Sequence, residues 1–239
     1  MVKVLALSIA LAAGLGAPTA FAAANFEREP ASDDARHVAH WAVDSGDNLG
    51  APFLIVDKVT AKVFVFHGDG RLLGAAPALL GLARGDDSVA GIGARKLSTI
   101  LEHERTTPAG RFVATLERDL SGQEVLWVDY ESGVSVHPVV LSNARELRAQ
   151  RLLTLTPLDN RISYGCINVS AHFYRTVVSP AFRSGGIVYV LPETRPAGEI
   201  FGSYDTPAIP PVVPAAKPTS AAPTPAGPAP SPGRPPPGR

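Results

Sequence analysis

Phe53–Phe66, with the sequence FLIVDKVTAKVFVF, gives the clearest indication of the fold. Two apolar runs, Phe53–Val56 and Val63–Phe66, flank the turn-like segment Asp57–Lys62. Short runs of β-branched and aromatic residues on either side of a turn predict a β-hairpin rather than a helix. The sequence therefore predicts a β-sheet that contains this hairpin.

Similar apolar runs recur further along the chain, and each predicts a strand. They are Arg71–Leu80, Arg111–Leu116, Val125–Tyr130, Val134–His137 and Gly186–Leu191. Helices are predicted at Asp33–Val43, at Ser142–Leu153 and at Ala171–Val178, the last of them capped by Ser170 and stopped by Pro180. The predicted fold class is mainly β with inserted helices.

The two ends of the chain differ from its middle. Residues 1–22 have the pattern of a secretory signal peptide, with Lys3, the apolar run Val4–Ala17 and the small-x-small site Ala20–Ala22. An uncleaved membrane anchor is the alternative. Residues 196–239 are rich in Pro and Ala and are predicted to be a disordered tail, since 13 of the 23 prolines lie in Pro207–Arg239.

These boundaries divide the chain into four parts. They are a signal peptide at 1–22, an N-terminal extension at 23–50, a folded domain at 51–195 and the tail at 196–239. The signal pattern predicts an exported protein, located in the periplasm or the cell wall. After signal cleavage, no stable membrane span is expected, because no other run is long and apolar enough.

The charge pattern excludes some partners. Lys plus Arg and Asp plus Glu number 22 each, so the chain lacks the basic balance of a nucleic-acid-binding protein. No metal site is predicted, because His37 and His40 have no third candidate ligand beside them. The oligomeric state is left open by the sequence.

Cys166 is the only cysteine of the chain and lies in Ile162–Val169, ISYGCINV. It cannot form an intramolecular disulfide, so it is either a buried small apolar side chain or a working thiol. Gly165 lets backbone N–H groups approach an oxyanion without a side chain in the way. The candidate base is His137, at the end of a predicted strand, and His172 stays open as an alternative.

In their order along the chain, these residues resemble the catalytic domain of the L,D-transpeptidases, which are bacterial cell-wall enzymes. The shared elements are Thr107-Pro108-x-Gly110-x-Phe112, Val136-His137 and Ser163-x-Gly165-Cys166-Ile167-Asn168. The resemblance covers about Pro52–Pro192 and implies a β-sandwich-like domain with the cysteine in a cleft.

The resemblance implies an exported L,D-transpeptidase that acts on peptidoglycan stem tetrapeptides through a Cys166 thioester. His137 would be the general base and acid, the Gly165 backbone would contribute to the oxyanion site, and Ser163 and Asn168 would brace the loop. Stem crosslinks or the attachment of another amine acceptor would result, and no cofactor is implied. The alternatives are an L,D-carboxypeptidase or endopeptidase that uses the same thiol with water, or a catalytically idle wall-binding module.

The sequence departs from the common family pattern at several places. Tyr164 stands where members often carry His, Pro138 where many carry Gly, and Asn168 where many carry Arg. Pro138 keeps a carbonyl that is able to orient His137. The spacing of 29 positions between His137 and Cys166 is longer than the compact family spacing, and the predicted Ser142–Leu153 helix is expected to form a flap over the cleft.

Overall fold

A computed structural model describes residues 23–201 of the chain. The predicted signal peptide at 1–22 and most of the predicted tail at 196–239 lie outside the described residues. Within 23–201, no helix is both long enough and apolar enough to cross a bilayer.

The fold is built on a mixed sheet of eight strands in the order β3-β2-β1-β10-β5-β6-β7-β9, beside a small parallel pair of β4 and β8. The strands are β1 Phe53–Asp57, β2 Lys62–Phe66, β3 Leu72–Pro77, β4 Leu80–Gly81, β5 Gly110–Arg118, β6 Glu124–Asp129, β7 Val134–Pro138, β8 Arg161–Ser163, β9 Ile167–Val169 and β10 Gly186–Val190.

The predicted hairpin is confirmed, because β1 and β2 pair in antiparallel register from Phe53–Phe66 to Asp57–Lys62. Both faces of this hairpin are buried, which explains its continuous apolar runs. One face turns into an inner core that also takes in Val136, Ile167 and Phe182.

The sheet curls until its two edges are almost joined. The backbone of Leu79, which follows edge strand β3, exchanges two N–H···O bonds of 2.8 Å with Asn168 on the opposite edge strand, β9. The inner core fills the space that the sheet encloses. The prediction of a mainly β domain with inserted helices is confirmed.

Helix α1, Asp33–Asp44, covers the outer face of the hairpin. The Ser32 side chain caps it by accepting from the Ala35 N–H at 3.1 Å. Its buried side chains pack against those of the sheet: Ala35, Val38, Ala39 and Ala42 against Phe53, Ile55, Phe64 and Phe66. The N-terminal segment is thus a packed layer of the fold.

The remaining helical segments are short. In chain order, the α-helices are α2 Arg148–Arg151, α3 Ala171–Phe173, α4 Ser179–Ala181 and α5 Ala197–Phe201, with a π-helical stretch at Tyr174–Val178. The 3₁₀ turns are Ile92–Ala94, Leu97–Thr99, Glu102–Glu104, Ala144–Glu146 and Leu158–Asn160.

The prediction of one helix over Ser142–Leu153 is wrong. The segment forms the 3₁₀ turn Ala144–Glu146 and the short helix α2, and Leu147 between them has a φ of +50°. Leu147 and Leu153 are 53% and 82% exposed, and Leu152 alone of the leucines in this segment is buried, so no continuous apolar stripe packs the segment onto the core. A short helix without such packing has little to stabilise it in water.

Two further boundaries differ from prediction. The helical stretch that Ser170 caps continues past Pro180 to Ala181, since α4 follows directly on the π-helical stretch Tyr174–Val178. The predicted strand Arg71–Leu80 is divided into β3 and β4, and β4 pairs with β8 instead of continuing the large sheet.

Candidate active site

Two parallel strands at one edge of the sheet bring the candidate thiol and imidazole together. β7 and β9 pair with His137 opposite Asn168 and with Val136 opposite Ile167. Val136 points into the inner core, so Ser135 and His137 point to the other face, where Cys166 precedes β9. Residues that are 29 positions apart in the sequence thus become neighbours.

The loop before Cys166 is held by a chain of hydrogen bonds. The Ser163 hydroxyl donates to the Cys166 carbonyl at 2.6 Å and accepts from the Gly165 N–H at 3.1 Å. The Gly165 carbonyl accepts from Thr107 Oγ1 at 2.8 Å, and that oxygen accepts in turn from the Gly81 N–H at 2.9 Å. This explains why Thr107, from the Thr-Pro motif, belongs with the cysteine motif.

The Cys166 side chain is half-buried in a polar setting. Its Sγ lies 3.7 Å from Ser135 Oγ and 3.6 Å from the Gly133 carbonyl oxygen. Burial acts to raise the pKa of the Cys166 thiol, but hydrogen bonding to His137, the charge of His137 and hydrogen bonds from Ser135 hold it below its ordinary value. The thiolate is therefore favoured by its neighbours.

The ring of His137 is held on both sides. Nδ1 lies 2.8 Å from the Pro138 carbonyl oxygen, and Nε2 lies 2.9 Å from Asn168 Nδ2. Burial acts to lower the pKa of His137, whereas hydrogen bonding to Cys166 and the negative charge of its thiolate raise it above the ordinary value. His172, the alternative base, lies exposed on α3.

Three side chains of this site were not predicted from the sequence. Ser135 lies two residues before His137 on one strand, and the two-residue period of the strand was the signal that would have found it. Arg148 Nη1 donates to Asn168 Oδ1 at 2.7 Å, and no sequence signal marked this contact. The Arg105 guanidinium lies 4.1 Å from the centre of the Tyr164 ring, which is cation–π geometry.

A buried ion pair supports the connection that carries Thr107. Lys58 is 0% exposed, and its Nζ donates to the Gly85 carbonyl at 2.6 Å, to Asp86 Oδ1 at 2.8 Å and to the Thr107 carbonyl at 2.8 Å. All three ammonium hydrogens are thereby used. The pair fixes the long connection between β4 and β5 against the site.

No protein-family model matches the chain, and no curated protein matches it. Among solved structures, the chain is similar to the Enterococcus faecium L,D-transpeptidase catalytic domain, at 20% identity and a TM-score of 0.34 over 59% of this chain and 98% of that domain. It is also similar to an L,D-transpeptidase from Mycobacterium smegmatis, at 20% identity and a TM-score of 0.36 over 58% of each chain.

The chain is also similar to the helical cell shape determining protein Pgp2 from Campylobacter jejuni, at 15% identity and a TM-score of 0.39 over 61% of this chain and 49% of that one. It thus spans less than two thirds of the Mycobacterium and Campylobacter structures. At these identities and TM-scores, the likeness carries no argument about function, which has to rest on the side chains of this site.

Proposed function

We propose that the protein is an L,D-transpeptidase that acts on peptidoglycan stem tetrapeptides through a thioester on Cys166. The observation that carries this proposal is the pairing of β7 with β9, which brings Cys166 beside His137, whose ring is oriented by the Pro138 carbonyl. A thiol beside an oriented imidazole is the arrangement of an activated cysteine nucleophile. The substrate class comes from the motifs that the chain shares with the L,D-transpeptidases.

In the proposed reaction, the Asn168 amide N–H first turns away from His137 Nε2. Nε2 then takes the thiol proton, and Cys166 Sγ bonds to the carbonyl carbon between the third and fourth stem residues. The C–N bond breaks as His137 returns the proton to the amine of the departing D-alanine, which leaves a thioester. The amine of an acceptor then attacks the thioester and gives its proton to His137. The new amide leaves, and the thiol regains its proton.

The oxyanion that forms on attack is assigned to backbone N–H groups of the nucleophile loop. The Gly165 N–H already donates to Ser163 Oγ at 3.1 Å. The proposal therefore gives the larger share to the N–H groups of Cys166 and Tyr164, and Gly165 supplies the backbone conformation that presents them. Ser163 and Asn168 brace the loop and the base.

The proposed site of action is the periplasm or the cell wall, where peptidoglycan stems are found. This is supported by the signal-peptide pattern of residues 1–22. The proposed partners are the stem peptides themselves.

The test is to incubate purified protein with a disaccharide-tetrapeptide and to weigh the products by mass spectrometry, with Cys166→Ala as the control. The proposal predicts a crosslinked dimer that has lost one D-alanine, and no product from Cys166→Ala. Tripeptide as the only product would indicate that the protein is a hydrolase that uses the same thiol, and not a transferase. Unchanged substrate, with no mass added to Cys166 by imipenem, would overturn both and favour a wall-binding module.

A further inference from the structure

Arg148 fixes which way the Asn168 side-chain amide points. Arg148 Nη1 lies 2.7 Å from one polar atom of that amide. A guanidinium has only donors, so the atom that faces it must be the amide oxygen, Oδ1. Asn168 Nδ2 must then face His137 Nε2, 2.9 Å away. The amide orientation follows from the chemistry of Arg148.

The amide orientation in turn fixes the protonation of His137. Asn168 Nδ2 is a donor, so Nε2 must accept and carries no proton in this arrangement. Nδ1 then holds the proton and donates it to the Pro138 carbonyl at 2.8 Å. The hydrogen bonds thus run in one direction, from Arg148 through Asn168 and His137 to Pro138.

We propose that Arg148 is a positioning residue that acts through Asn168 to favour the neutral Nδ1–H tautomer of His137, whose Nε2 electron pair accepts from the Asn168 amide. A proton on Nε2 would face the Asn168 NH₂ group, donor against donor. Formation of the imidazolium therefore requires the Asn168 amide to turn over, and Arg148 opposes that turn. The inference rests on the proposed thiol–imidazole pair.

The position of Arg148 in the chain supports this role. Arg148 begins α2, directly after Leu147, whose positive φ breaks the segment. Its Nε is paired with the Glu146 carboxylate, and its side chain is 13% exposed. The guanidinium is therefore held from two sides, by Glu146 and by Asn168.

The charges that face His137 come from several elements. Cys166 precedes β9, Arg148 lies on α2 with Glu146 behind it, and Asp119 lies in the turn between β5 and β6. Hydrogen bonds from Ser121 and the charge of His137 contribute to lowering the pKa of Asp119. Among the groups that shift the pKa of His137, Arg148 acts to lower it, in the direction that opposes the imidazolium.

The test is the pH dependence of Cys166 alkylation by iodoacetamide in the full chain. Cys166 is the only cysteine, so the rate reports this thiol alone. In Arg148→Met, Asn168 is free to turn its oxygen toward Nε2–H, and the thiolate–imidazolium pair becomes easier to form. The alkylation midpoint should move to lower pH by about 0.5–1 unit.

Two variants control this measurement. Arg145→Met removes the same charge from the exposed 3₁₀ turn of the same segment and should keep the wild-type midpoint. Arg148→Lys keeps a donor and a charge and should return the midpoint toward the wild-type value. A midpoint for Arg148→Met that equals that of Arg145→Met, or lies at higher pH than wild type, overturns the inference.

A further variant separates this inference from the proposed function. His137→Gln should move the midpoint to higher pH, because the thiolate loses its imidazolium partner. If His137→Gln leaves the midpoint unchanged, the thiol–imidazole pair itself is refuted and the inference falls with it. If His137→Gln shifts the midpoint and Arg148→Met does not, only the role of Arg148 is refuted.

Discussion

Gly165 meets two constraints at once in the nucleophile loop. Its φ of +134° lies in a region that side chains disfavour, and a Cβ there would lie 2.8 Å from the Thr106 carbonyl oxygen. A backbone oxygen cannot swing aside as the end of a flexible side chain can. Any side chain at this position therefore displaces the loop that carries Cys166.

Gly165→Ala should lower the free energy of unfolding by about 1–3 kcal/mol and slow the alkylation of Cys166. Gly122→Ala is the matched control, because Gly122 also has a positive φ, +83°, but has open space around its Cβ position. The control should cost about 1 kcal/mol and leave alkylation unchanged. Denaturant titration and thiol kinetics measure both effects, and equal behaviour of the two variants would refute the role of the close contact.

The sequence predicted the site in part. Cys166 and His137 stand out because a lone thiol near a strand-ending imidazole has a recognisable chemistry. The contact between Arg148 and Asn168 was not predictable, because it depends on the left-handed backbone of Leu147, which breaks a segment of helix-forming residues. The stacking of Tyr164 on Arg105 was not predictable either, because it depends on a long connection whose path local sequence does not determine.

The connection from β4 to β5 depends on a buried charged group, Lys58. Lys58, at the end of β1, donates to three oxygens of this connection, and the connection positions Thr107 beside Gly165. Burial alone would raise the pKa of Asp86, but hydrogen bonds from Lys58, Thr194 and backbone N–H groups hold it well below its usual range. Removal of Lys58 leaves the Asp86 carboxylate buried without its main partner.

Lys58→Met should lower the free energy of unfolding near pH 7 by about 3–5 kcal/mol. Lys62→Met is the control, since Lys62 pairs with Glu29 at 2.6 Å but is 21% exposed, and its loss should cost about 1 kcal/mol or less. Denaturant unfolding measures both variants. Similar costs for the two would contradict the importance of the buried pair.

The buried ion pair of Lys58 and Asp86 makes the free energy of unfolding depend on pH. The folded-state pKa of Asp86 is depressed, so its contribution to stability is fully present above the unfolded-state value and is lost as the pH falls through the folded-state value. The difference in the free energy of unfolding between wild type and Lys58→Met should therefore shrink as the solution becomes strongly acidic. A difference that grows on acidification would contradict this account.

Strands were easier to predict than helices in this chain. The hairpin of β1 and β2 is coded by apolar runs and a local turn, so neighbouring residues suffice to identify it. The segment 142–153 has helix-forming residues, yet Leu152 is its only buried leucine. Its structure depends instead on contacts with the site, such as that of Arg148 with Asn168. β4, of two residues, forms only because β8 supplies its partner.

The closure of the sheet and the site depend on one another. The backbone of Asn168 joins the two edges through Leu79, while its side chain contacts His137. Val136 of β7 and Ile167 of β9 both pack in the inner core. The pairing of these two strands sets the separation of the base and the thiol. No local sequence pattern encodes this arrangement, because it requires residues from both edges of the sheet.

The most direct test of the account is the intact mass of the protein after reaction with imipenem, followed over time. Wild type and His172→Ala should gain one adduct that maps to Cys166 at similar rates. His137→Ala should gain it about 10²–10⁴-fold more slowly, and Cys166→Ala not at all. Equal rates for His137→Ala and His172→Ala, or an adduct that forms in Cys166→Ala, would contradict the assignment of Cys166 and His137 as nucleophile and base.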